Sequence, residues 1–108
     1  MKTIYKVWAE RGEARTKADE EWTEAEILDN YNNQTSCEPR TLKEFETEQE
    51  ALDYYNGLEP METHKQATNL GYVLLYEVLG VDKVGTVEGD EVEWEQLAIK
   101  TMEYKKGK

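Results

Sequence analysis

The stretch that most limits how this chain can fold is Gly71-Tyr72-Val73-Leu74-Leu75-Tyr76-Glu77-Val78-Leu79-Gly80-Val81, an almost unbroken apolar run punctuated by two glycines. A membrane-spanning helix needs about 20 apolar residues, so the run is too short to cross a bilayer. Its valines and tyrosines favour extended backbone. A run without polar alternation is the pattern of a strand covered on both faces. It is expected to be the central strand of a small sheet, and the rest of the chain to be arranged around it.

A chain of 108 residues supports one domain with one core. Three Trp, seven Tyr and one Phe separate it from disordered acidic chains, which lack the large side chains that bury area. Around the central run the other elements follow in order. Alternation from Thr3 to Glu10 predicts a strand, with Tyr5, Val7 and Ala9 on one face and Ile4, Lys6 and Trp8 on the other. Glu10 to Glu21 is charged and shows no period, and is read as an exposed loop or arm.

Two helix starts are well marked. Thr23 and Glu26 have the spacing of a capping box, with Trp22 placed to staple onto Ile27; Ile27, Leu28 and Tyr31 form the buried face, and Asn32-Asn33-Gln34 ends the helix. Thr47 and Glu50 repeat the box ahead of a helix over 48–56. Gly57 stands at the position of a left-handed C-terminal residue, and Leu58 at that of its hydrophobic contact. Between the helices, 34–40 is read as a loop and 41–46 as a short strand. Residues 59–69 fit either a short helix after Pro60 or an extension of the central strand. Residues 82–92 look like a turn region. Trp94, Ile99, Thr101 and Tyr104 favour a strand over 93–104 that returns along 71–81 as a long hairpin, and Lys105-Lys106-Gly107-Lys108 is a frayed basic end. The expected fold is α+β: a two-layer sandwich with a mostly antiparallel four-stranded sheet, chain order β-α-β-α-β-β, and two helices on one face.

The charge is the feature above background. Twenty-four acidic residues against 13 basic give a net charge of −11, which works against direct binding to nucleic acid or an anionic membrane and suits a cationic partner. A single cysteine, Cys37, excludes an intramolecular disulfide and a thiolate metal cluster, and the charged N-terminus is unlike a secretory signal. A cytoplasmic setting follows as the expectation. No catalytic signature is found. His64, the sole histidine, sits in a polar stretch, and Cys37 has no basic cluster to lower its pKa. Neither zinc ligands, an EF-hand pattern nor a phosphate-binding glycine loop is present, so no cofactor and no enzymatic activity are expected.

Acidic residues fall into three clusters. The first is Asp19, Glu20, Glu21, Glu24, Glu26 and Asp29; the second is Glu44, Glu46, Glu48, Glu50 and Asp53. Helix capping accounts for much of both. The third, Glu88, Asp90, Glu91, Glu93 and Glu95, has no such role, and its mutual repulsion costs stability unless something cationic meets it. Trp94 lies inside it. Its preferred reading is a core tryptophan on the inward face of a strand; the alternative is an interface anchor within a charged rim.

The function expected from these residues is a non-enzymatic acidic protein that binds a basic protein surface through Glu88, Asp90, Glu91, Glu93, Trp94 and Glu95. In its sharpest form the partner is a nucleic-acid-binding enzyme and the carboxylates stand in for phosphates. Small acidic inhibitors of phages and mobile elements, anti-CRISPR and anti-restriction proteins among them, resemble this chain in size and charge and in no motif. The alternative is an accessory or ligand-sensing domain with Tyr54, Tyr55, Tyr72 and Tyr76 around a pocket. A third is a homodimer formed through an exposed sheet edge.

Overall fold

A computed structural model describes residues 1–18, 20–34 and 39–105. Asp19, Ser36, Cys37 and the basic end 106–108 lie outside the described residues. The chain is a small α+β fold of antiparallel strands and two helices, in the order β1 (Lys2–Thr16), α1 (Glu24–Asn32), β2 (Arg40–Phe45), α2 (Glu48–Asn56), β3 (His64–Thr68), β4 (Gly71–Val87) and β5 (Asp90–Thr101). The strand order is β2-β1-β4-β3, with β5 on β4. The sheet therefore has five strands, not the expected four. The extra one is β3, drawn from the ambiguous 59–69 stretch, which pairs antiparallel with β4 from His64↔Leu75 to Thr68↔Gly71. No helix among the described residues is long and apolar enough to cross a membrane.

Two strands run far beyond their apolar patterns. Residues 10–16, expected as a loop, continue β1. A period of two is present there, but Gly12, Ala14 and Thr16 carry its inward positions, while Arg11, Glu13 and Arg15 point to solvent. Side chains that small do not register as apolar. At Gly12 the absence of a side chain is required, because a Cβ would stand 2.5 Å from the Tyr76 ring. Likewise 82–87, expected as a turn, prolongs β4, with Val84 and Gly85 buried. The turn itself shrinks to Glu88-Gly89. Both residues have positive φ, 52° and 87°, the requirement of the two-residue type I′ loop whose twist matches a hairpin.

The chain forms two compact units. In the first, residues 1–9, 39–59 and 79–99, β1 pairs with β2 from Tyr5↔Phe45 to Ala9↔Arg40. The register shifts between Val7 and Trp8, leaving Leu42 as an extra residue in β2. Val7, Ala9, Leu79 and Val81 pack with Ala51 and Tyr55 of α2 to form the core. The bounds of α2 match the expected 48–56, and the Thr47 hydroxyl accepts from the Glu50 amide. Its C-terminus differs from expectation. Gly57 has φ −84°, in the right-handed region, and the helix closes with a 3.2 Å bond from Gly57 N to Tyr54 O and a 3.0 Å bond from Leu58 N to Tyr55 O. Tightening of the last turn satisfies these carbonyls without a left-handed residue.

In the second unit, residues 10–38, 60–78 and 100–108, the capping box of α1 is complete in both directions between Thr23 and Glu26, and Ile27 is fully buried. Trp22 is fixed by backbone bonds exchanged with Tyr104 (3.0 and 2.8 Å) and by its indole N–H, which donates to Thr16 Oγ1 at 2.9 Å. The buried hydroxyl of Tyr76 accepts from Asn30 Nδ2 at 2.9 Å and Gln34 Nε2 at 3.1 Å. Glu77, the one acid of the central run, is buried but satisfied: its carboxylate accepts from Met61 N at 3.0 Å and its carbonyl from the Thr101 hydroxyl at 2.7 Å.

Candidate functional site

The three acidic clusters are held differently. In the first, Glu26 completes a cap and Glu24 accepts from the Thr101 amide at 3.3 Å. Glu20 accepts from Thr16 Oγ1 at 2.6 Å and Lys17 N at 3.0 Å; the Thr16 bond, ahead of the others, holds its carboxyl below the usual range. In the second, Glu50 accepts from the Thr47 hydroxyl and Asp53 from Gln49 Nε2, both at 2.8 Å. Glu20, Glu26, Glu50 and Asp53 are bound within a few residues of the chain and Glu24 by the end of β5, whereas Glu21, Asp29, Glu44, Glu46 and Glu48 are exposed and take part in no ion pair among the described residues.

The third cluster sits on the β4–β5 hairpin of the first unit. Alternation along β5 puts Glu91, Glu93 and Glu95 on one face and Asp90, Val92 and Trp94 on the other. Glu91 is half-buried and receives both of its contacts from Lys6 Nζ, at 2.6 and 2.9 Å. Glu88, Asp90, Glu93 and Glu95 are exposed and take part in no ion pair among the described residues. The Lys6–Glu91 pair also faces Asp82. Burial pushes the Asp82 carboxyl above the ordinary aspartate range; a hydrogen bond with Trp8 opposes the rise, the Glu91 charge adds to it and Lys6 reduces it.

Trp94 overturns the preferred reading. It is 63% exposed, so it is not a core tryptophan. Val92, two residues before it, is 49% exposed, and Met1 is 75% exposed. The three line one open groove of about 470 Å³ with Lys83, Gly85, Glu93 and Glu95. Met1 reaches that floor because Gly85 is bare: its Sδ lies 2.7 Å from where a Cβ would be. The hairpin thus joins a row of uncompensated carboxylates to an apolar strip. Val92 and Met1 extend the expected site, and Lys6 removes Glu91 from the freely available acids. The spacing of Val92 to Trp94 is the signal in the sequence that points to the strip.

Other candidate groups lie elsewhere. His64 is exposed at the start of β3 and lines a groove of about 340 Å³ with Arg11, Glu62 and Tyr76. Tyr55 and Tyr76 are buried, Tyr54 packs against Phe45 with the rings tilted by 49° and centroids 5.4 Å apart, and Tyr72 is exposed. No group of three or more His, Cys, Asp or Glu side chains among the described residues is placed to hold a metal ion. The chain matches no family model, and neither a curated protein nor a solved structure is significantly similar to it.

Proposed function

We propose that this protein is a non-enzymatic interaction module that docks its β4–β5 hairpin on the basic surface of another protein, in the sharpest case a nucleic-acid-binding enzyme whose phosphate-binding residues it occupies. The observation that carries this reading is Trp94, 63% exposed between the uncompensated Glu93 and Glu95. A large aromatic at the centre of a contact with charge at its rim is where binding energy concentrates, and four free acids on one hairpin steer a cationic partner to it. A net charge of −11 adds long-range attraction that salt weakens. The tyrosine-pocket alternative draws less support, because Tyr55 is buried in the core and the hydroxyl of Tyr76, though its ring lines a groove, is taken by Asn30 and Gln34.

The test is capture of partners from a bacterial lysate by the immobilised protein, run beside a Glu93→Lys/Glu95→Lys variant and Trp94→Ala. Glu91 is left intact because its ion pair with Lys6 belongs to the fold. A basic protein retained at low salt, eluted by high salt and lost from both variants supports the reading. Retention that is equal in all three ends it.

A further inference from the structure

We infer that the hairpin receives its partner by strand addition: an extended segment with Lys or Arg at every second position and apolar residues between them pairs along the outer edge of β5. This rests on the reading of the hairpin as the contact surface. Among the described residues, β5 pairs with no strand other than β4. An antiparallel ladder turns every second N–H and C=O of such a strand outward, so residues 90–99 of the first unit present a row of unpaired backbone groups. This is the template that peptide-binding sheets use.

The side chains along that edge specify what can pair there. Glu93 and Glu95, the acids of that face left free by the Lys6–Glu91 pair, stand one strand repeat apart, about 6.8 Å. An added strand has the same repeat, so cationic side chains at alternate positions stand opposite the carboxylates, where opposite charges stabilise a cross-strand pair. The intervening residues fall on the other face, beside Val92 and Trp94, whose exposed apolar surface they cover. A second copy of this chain does not fit: two β5 edges would set Glu against Glu, and like charges directly opposite destabilise a sheet. Nucleic acid is repelled by the same residues.

The probe is a seven-residue peptide of alternating Lys and Val. Its controls are a peptide of the same composition with the four Lys and three Val in blocks, and an alternating peptide N-methylated at every second amide. Trp94 fluorescence reports covering of the groove, and amide hydrogen exchange reports the outer edge of β5. The alternating peptide is expected to shift Trp94 emission to the blue and to protect the amides of one alternate set in 91–97. It should bind about tenfold or more tightly than either control, since three or four ladder hydrogen bonds are at stake. The modification sits on the peptide, so the fold is untouched. Equal binding of all three peptides without amide protection overturns strand addition and leaves the broader docking reading standing, as attraction by charge alone. Failure of all three to bind, together with no partner captured from lysate, ends both.

Discussion

Trp8 and Trp94 sit in the same unit, each on a strand and each within two residues of charge, yet one is 5% exposed and the other 63%. Their own neighbours do not explain the difference. What does is the surface each meets. Trp8 lies on Gly80, where a Cβ would come within 2.2 Å of its ring, so the missing side chain of one strand is the bed for the indole of another. Trp94 lines an open groove together with Gly85 and Met1 and stays 63% exposed. A fold can use the same residue as a core plug and as exposed contact area, depending on whether a complementary gap lies across the sheet.

The largest expected effect separates the two directly. Trp8→Ala should cost about 3–5 kcal/mol in urea unfolding, the range for deleting a buried aromatic. Trp94→Ala should stay within about 0.5 kcal/mol, as for a surface position. Comparable losses at both would break the comparison. Next comes the bed itself: Gly80→Ala places a methyl group inside the Trp8 ring and should cost about 1–3 kcal/mol through overpacking. Gly85→Ala meets the flexible end of an exposed Met1 and should cost less, so equal losses would mean that Met1 is as rigidly seated as Trp8.

A smaller effect depends on pH. Burial raises the Asp82 carboxyl in the native state, so its ionised form is a burden above that raised value and none below the ordinary aspartate value of about 3.9. Asp82→Asn should therefore melt higher than the parent at pH 7, with the difference shrinking as pH falls towards 4. A difference that grows on acidification would mean that the Trp8 bond and Lys6 outweigh desolvation. The smallest effect is expected for Glu93→Lys/Glu95→Lys, which relieves repulsion between exposed acids and should raise stability by a few tenths of a kcal/mol at low salt and not at high salt. A large loss would show that those carboxylates hold the fold, not a partner.

Much of the scaffold is legible in the sequence. The bounds of α2, the capping box of Thr23 and Glu26 and the burial of the central run over 76–81 follow from local rules, although Gly71 and Tyr72 are exposed. A returning last strand was legible too, but it runs over 90–101 and not 93–104, because the turn tightens to Glu88-Gly89. The failures have a common cause. Residues 10–16 and 82–87 were expected as loop and turn because their inward positions hold Gly, Ala and Thr or interrupt valine with charge, and their pairing is set by long neighbouring strands. For the candidate site, the charge of the hairpin was evident, whereas the exposure of Trp94, the strip it forms with Val92 and Met1, and the pairing of Glu91 with Lys6 were not.

By itself, then, the sequence determines where helices begin, that a strand near the middle is buried on both faces, that the chain turns somewhere within 82–92, and that a surplus of carboxylates must lie outside. These are properties of residues within a few positions of one another. Tertiary structure alone decides which face of β5 is covered, which glycine lies beneath which aromatic ring and which acid finds a lysine 85 residues away. Alternation divides a strand into two faces, but burial depends on what the rest of the chain lays against each of them.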